Sequence, residues 1–292
     1  MPSRTAQRLC PHAIFVTPRF DVYHAVSREI MDILAGVTPI LEPVALDEAF
    51  LDVSHALGRH EDAFGLGGAI KAAITAETQL TASLGIATNK LTAKVASDFR
   101  KPDGLTVVGP GEERSFLAPL PVRRLWGIGP KAEERLGRAG VRTAGELADV
   151  DPGWVISRFG RQGLEWQRMA QGVDERPVSA AHVRRQLSRE RTFPRDIADS
   201  RELRGALHAM ADELAPLLAR HRPARTVTLK LRYADFTTVT RRCTPGSTIT
   251  ADSLKGLSEQ LLQDHWSERP VRLLGIAVSN FVDDQPGQLS LF

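Results

Sequence analysis

The sequence predicts an α+β chain of more than one domain, and three observations carry that reading. Residues 19–108 mix helical periodicity with short apolar runs. Residues 109–174 read as wholly helical, punctuated by "GIGP" and "AGVRT". From residue 184 the pattern alternates strand, helix, strand, strand, helix, strand. A chain of 292 residues with 42% hydrophobic residues has material for two or three cores.

In chain order, residues 1–18 are irregular, with three prolines. "VYHAVSREIMDILAG" (22–36) places apolar residues at helical spacing. "PVALDEAFLDVS" (43–54) and "LTASLGIAT" (80–88) read as strands, with a helix, "AFGLGGAIKAAITAET", between them. "NKLTAKVASDF" (89–99) is a second helix, for which Asn89 is a suitable cap. Residues 175–183 are a connector. Beyond it, "RRQLSRERTF" is a strand and 200–221 an amphipathic helix. "RTVTLKLRYADFTTVTRRCT" is two strands about an Ala234-Asp235 turn, 251–266 a helix, and "VRLLGIAVSNFV" a last strand. This βαββαβ order is a split βαβ layout, with helices on one face of a sheet and the other face open.

Charge and composition narrow the function. Residues 184–282 hold 15 Arg and 2 Lys against 11 acids, a net +6, while the rest of the chain is −3. On strand 226–233, Val227, Leu229, Leu231 and Tyr233 share one face, and Thr226, Thr228, Lys230 and Arg232 the other. Thr238, Thr240 and Arg242 follow on the next strand. Hydroxyls with Arg and Lys on an open face suit phosphate contact, so a polyanion partner is expected. No run approaches the roughly 18 apolar residues of a membrane span. The start lacks a secretory apolar run, and Cys10 and Cys243 stand far apart, which fits a reducing cytoplasm and excludes a disulfide framework. Nothing calls for more than a monomer.

Two adjacent acids stand out. In regular β geometry Asp47 shares a face with Ala49, Leu51 and Val53, where a bare carboxylate is costly to bury. A hard divalent cation such as Mg²⁺ removes that cost if the strand bends or ends there. A hairpin with both acids solvated at its turn is the alternative. Lys101, after a helix and before Pro-Asp-Gly, is a positioned point charge for a phosphate. Gly127 and Gly129, at a helix start with Lys131, offer free backbone N–H groups to a nucleic-acid phosphate.

Three segments, "LDEAFLDV", "SLGIATNKLTAKVASDFRKPDGLTVV" (83–108) and "LPVRRLWGIGPKAEERLGRAGVRTAGELADVD" (120–151), resemble the Y-family translesion DNA polymerases in order and spacing. The resemblance implies a partial polymerase palm over 19–108 after a remnant of the fingers (1–18). It implies an all-helical thumb with a helix-hairpin-helix over 109–174, a linker, and a DNA-binding little finger over 184–283. It makes Asp47 and Glu48 catalytic carboxylates binding two Mg²⁺ ions, and Lys101 the lysine on the incoming dNTP triphosphate, with Asp98 in support. Gly127, Gly129 and Lys131, with Thr228, Lys230, Arg232, Thr240 and Arg242 of the sheet face, become contacts to primer-template DNA. The end "QPGQLSLF" (284–292 with its lead-in) resembles a bacterial sliding-clamp binding peptide, in which Gln288, Leu289, Leu291 and Phe292 anchor the hook.

The expected activity is error-prone, Mg-dependent nucleotidyl transfer from dNTP to a primer 3′-hydroxyl, in DNA repair and damage tolerance. The opening "MPSRTAQRLCPHAIFVTPRFDVY" resembles the end of the family's fingers. The first palm strand, with its further aspartate, and the fingers' triphosphate ligands are not found in the sequence. The alternative expectation is therefore an N-terminally truncated form that binds DNA and clamp without synthesis.

Overall fold

The computed structural model describes residues 1–57, 62–180 and 184–282. The chain divides into two compact units, Met1–His182 and Val183–Phe292. Membrane-crossing helices, long and apolar enough, are absent among the described residues.

The first unit opens with α1 (Ser3–Leu9), a helix where an irregular segment was expected; it buries no side chain. Helix α2 (Phe20–Ala35) follows. The apolar run around residue 47 is not one strand. It is a hairpin of two three-residue strands, β1 (Leu41–Pro43) and β2 (Ala49–Leu51), paired antiparallel with Leu41 opposite Leu51 and Glu42 opposite Phe50. Asp47 and Glu48 sit at its turn. The five residues 44–48 carry two acids, and the backbone closes there, with Val44 N–H donating to Glu48 O at 2.8 Å. The turn spares a bare carboxylate from burial on a strand face.

Helix α3 (Ala63–Thr78) is N-capped by Asp62. A parallel pair, β3 (Leu84–Ile86) and β4 (Leu105–Val107), flanks α4 (Lys90–Phe99), whose cap is the side chain of Asn89, accepting from Thr92 N–H at 2.9 Å. The β3 strand is far shorter than residues 80–88. Gly85 lets α4 close onto it: an added Cβ would lie 2.0 Å from Ala93 O. One core holds Leu34, Leu66, Ile70 and Ile74 against the hairpin and Leu84.

The helical region contains α5 (Glu113–Leu117), a 3-10 turn at Val122–Arg124, α6 (Pro130–Arg138), α7 (Ala144–Asp149) and α8 (Pro152–Ala170), kinked at Gly160. Its core takes Leu91 and Val95 from α4 together with Leu117, Leu136, Leu147 and Trp166. Burial of each such leucine stabilises by roughly 1.5–3 kcal/mol. Helix α4 therefore belongs to both cores' surroundings and fixes the hairpin's neighbour to the helical region.

The second unit is β5 (Gln186–Ile197), α9 (Ser200–Ala219), β6 (Ala224–Tyr233), β7 (Thr238–Cys243), α10 (Ala251–His265) and β8 (Val271–Phe281). The strands form one sheet in the order β5-β8-β6-β7, all neighbours antiparallel. Leu203, Leu207, Leu214, Leu254 and Leu261 of the helices pack on Val227, Leu229 and Leu231, as the alternation predicts. The β6–β7 connection is Ala234–Thr237, longer than an Ala-Asp turn. Asp235 accepts from Thr237 N–H, and Phe236 adopts φ +65°.

Candidate active site

The turn at Asp47 and Glu48 lies beside a charged stripe of α4. Residues 90, 94 and 98 repeat every four positions and so share one side of the helix. Lys90 donates to both carboxylate oxygens of Glu42 at 2.7 Å. Lys94 is ion-paired with Glu48. Asp98 is ion-paired with Lys101 at 2.6 Å. Asp47 is exposed, and Glu48 is partly buried.

Lys101 gathers the cluster electrostatically. Its hydrogen bond to Asp98, together with the charges of Asp98, Glu48 and Asp47, raises its pKa above the ordinary lysine value. The same hydrogen bond, with Lys94 and Arg124 nearby, lowers that of Asp98. The structure thus brings Asp47, Glu48, Asp98 and Lys101 into one electrostatic cluster. The sequence reading missed Lys94 and Arg124. Lys94 carried a signal, the four-residue spacing of Lys90, Lys94 and Asp98; Arg124 carried none.

Two donor surfaces accompany the cluster. In the first unit, Gly127 (φ +86°) and Gly129 flank the buried Ile128 at the start of α6, where Gly129 is the N-cap and Pro130 the first helical residue. Ile128 anchors the turn in the core while both glycines and Lys131 stay exposed. In the second unit, Thr228 lies opposite Arg242 and Lys230 opposite Thr240 on the open face. Arg232 there donates to Thr238 at 2.9 Å. The β8 residues that cross this face are Gly275, Ala277 and Ser279, so the sheet's centre is a trough of about 440 Å³. Its far wall is Gln186, Ser188 and Glu190 of β5. The small-residue floor is written in "GIAVS" (275–279). Glu190 is ion-paired with Lys230 at 2.5 Å across Gly275. Thr226 is buried, held by Asn280 at 2.8 Å and Thr244 at 3.0 Å, rather than free for a ligand. Gln288, Leu289, Leu291 and Phe292 lie outside the described residues.

Residues 1–98 match the model of the impB/mucB/samB family, 110–141 that of the IMS family HHH motif, and 184–291 that of the impB/mucB/samB family C-terminal domain. The DNA polymerase IV of Alkalilimnicola ehrlichii is 41% identical over 297 residues, spanning 100% of this chain and 84% of that protein. The chain belongs to the Y-family DNA polymerases. The DNA polymerase IV of Halorhodospira halophila is 42% identical over 98% of this chain and 82% of its own length. Among solved structures, the Y-family DNA polymerase chimera Dbh-Dpo4(243-245)-Dbh superposes with a TM-score of 0.87 at 26% identity, covering 97% of this chain and 83% of that one.

In this Y-family chain a second charged cluster, which the sequence did not announce, joins residues 174–179 to β1 and α4. Glu42 also accepts from Ser179 N–H at 2.8 Å, and Lys90 donates to Pro177 O at 3.3 Å. The connector is thereby fastened to β1 and α4. Burial of Glu42 would raise its pKa; Lys90, Ser179 N–H and Arg176 outweigh that and hold it below the ordinary glutamate value. Asp174, also pushed up by burial, is held down by Arg176 and by Leu91 N–H. Apart from Arg176 with Asp174, these contacts join residues far apart in sequence, so no local pattern signals them.

A divalent cation is the group the family implies, and the donor chemistry at the turn fits one. Mg²⁺ is commonly held by one or two carboxylates with water and substrate phosphates completing its shell. Asp47 and Glu48 supply two hard oxygen donors side by side. Among the described residues, no three His, Cys, Asp or Glu side chains gather into a metal site.

Proposed function

We propose that this chain extends DNA primers by template-directed nucleotidyl transfer from dNTP, as an error-prone translesion polymerase. The observation that carries the reading is the placement of Asp47 and Glu48 on one turn, within the field of Lys101, in a chain of Y-family sequence. When bound, Mg²⁺ would neutralise the triphosphate and favour ionisation of the primer 3′-hydroxyl.

Asp47 and Glu48 are the residues that would hold that ion. Only Glu48 Oε1 is paired with Lys94, so Glu48 can offer Oε2 to the ion, or release Lys94 to face phosphate. Lys101 exchanges Asp98 for a triphosphate oxygen, which keeps its charge paired throughout. The N–H groups of the exposed Gly127 and Gly129, on either side of an Ile128 N–H already bonded to Leu125 O, grip a duplex phosphate without reading sequence. The trough over Gly275, Ala277 and Ser279 receives a second stretch of backbone, with Lys230 and Arg242 on phosphate. A grip built on phosphates is weak at cellular salt. The tail residues Gln288, Leu289, Leu291 and Phe292 would compensate by tethering the enzyme to a bacterial sliding clamp.

The test is primer extension by the 292-residue chain with Mg²⁺, against Asp47→Ala and Glu48→Ala. Extension by the wild type that both variants lose, with duplex affinity nearly unchanged, supports the reading. Weaker duplex binding in the variants would make the acids structural. A second reading, DNA binding without synthesis, draws on the engagement of Glu48 by Lys94; a wild type that shifts duplex mobility but adds no nucleotide would favour it. Deleting 288–292 should remove clamp stimulation and spare basal extension, and unchanged clamp dependence would refute the hook.

A further inference from the structure

Two aromatic rings bridge the turn proposed to grip DNA and the turn proposed to carry catalysis. Phe50 lies in β2, two residues after Glu48. Trp126 immediately precedes Gly127. Their ring centroids are 6.1 Å apart with planes 32° from parallel. Neither ring belongs to a hydrophobic core: Trp126 is 38% exposed, and Phe50 stands outside the cluster that takes its neighbours Ala49 and Leu51.

Both rings are clamped from outside. The Lys90 ammonium lies 5.1 Å from the Phe50 centroid, and the Arg176 guanidinium 4.6 Å from that of Trp126. Each cation is itself fixed. Lys90 is bound by Glu42, the register partner of Phe50. Arg176 makes two hydrogen bonds, at 2.7 and 2.8 Å, to Asp174, whose carboxylate also accepts the Leu91 N–H of α4 at 3.0 Å. A contact needed only to fill space does not call for two paired cations at its faces. A contact that must hold one orientation while half-exposed does, because ring–cation geometry is directional.

We infer that Phe50 and Trp126 are positioning residues that transmit engagement of DNA at the Gly127–Gly129 turn to the Asp47–Glu48 turn. The inference rests on the polymerase reading for its purpose, though not for its physical content. Movement at Gly127 shifts Trp126 directly. The paired rings carry that shift to β2, and the three-residue strand is too short to absorb it before Glu48.

The test has two arms. Hydrogen exchange of residues 44–51 is followed on the full chain with and without a primer-template duplex, in the wild type, Trp126→Leu and Trp126→Phe. Duplex-dependent protection in the wild type, lost in W126L and kept in W126F, is expected. Equal protection in wild type and W126L, or none in the wild type while duplex binds, overturns the inference. The second arm is single-nucleotide insertion at saturating duplex in Phe50→Leu, Trp126→Leu and the double variant. A displacement of about 1 Å at a reacting centre costs on the order of a hundredfold, so a partial loosening should cost each single variant about tenfold in kcat. Duplex affinity should hold, and the double variant should be no worse than either single. Additive losses, or losses in duplex affinity alone, count against transmission. A wild type that adds no nucleotide yet passes the exchange arm would sink the polymerase reading and leave the coupling standing.

Discussion

Lys94 of α4 is ion-paired with Glu48 of the hairpin turn, so the carboxylate proposed to take a metal ion is already engaged by a lysine. Both side chains are more than a third exposed, which limits such a pair to about 1 kcal/mol. Replacing Lys94 by Met should therefore tighten divalent-cation binding by at most about fivefold. Calorimetric titration of the chain with Mn²⁺ checks this. Unchanged affinity would mean that Lys94 does not compete with the ion.

The junction of Glu42, Lys90 and the connector sets a pH dependence. The pKa of Glu42 is held below its ordinary value in the folded chain. Its contribution is therefore present above the unfolded carboxylate value and is lost as pH falls through the folded one. Asp174 behaves alike. Thermal unfolding midpoints should fall as pH drops below about 4.5, the ordinary range of carboxylates. Glu42→Gln should lower stability at neutral pH by about 2–3 kcal/mol, since it leaves the buried Lys90 ammonium poorly paired. It should also flatten the acid limb; an acid limb identical to wild type would place the titration elsewhere.

Glu190 faces Lys230 across Gly275 on the open sheet face. Its charge repels phosphate and engages Lys230, the cation proposed to contact it. Glu190→Gln should tighten duplex binding at low salt, while Lys230→Ala should weaken it and reduce the salt slope by about one phosphate contact. Fluorescence anisotropy over a salt series reads both. A slope unmoved by either change would remove this face from the DNA interface.

Gly127 holds φ +86°, and a Cβ there would stand 3.4 Å from Trp166 Nε1. The space is ordinary, so the cost of Gly127→Ala is mainly conformational, about 1–2 kcal/mol for a left-handed residue with a side chain. Denaturant unfolding measures the loss. The same substitution at Gly129, whose backbone is extended and whose surroundings are open, should cost much less stability. A reversed order would sink the account of this turn.

The elements with strong period were legible from residues alone. Helices α3, α4 and α10 and strands β6 and β8 lie where their alternation put them, because each buries a full stripe against a core. Asn89 capped α4 as its position suggested. Helix α1 was missed because a seven-residue helix with no buried side chain leaves no apolar stripe to read. The strand read through Asp47 became a hairpin whose turn leaves Asp47 in solvent and Glu48 beside Lys94, rather than burying a bare carboxylate on a strand face.

Local chemistry thus settled by sequence includes the acid pair at 47–48, the glycine turn at 127–129 and the βαββαβ order of the basic unit. Each is written in neighbouring residues whose spacing follows helix or strand geometry. Tertiary structure alone decided that Lys94 occupies Glu48, that Lys101 senses both acids, that Phe50 meets Trp126, and that Glu42 and Lys90 fasten Ser179 and Pro177. Those partners are separated by 46 to 137 positions along the chain, or by a turn whose direction no local pattern fixes. Only the packing of α4 against hairpin and helices brings their charges and rings within reach.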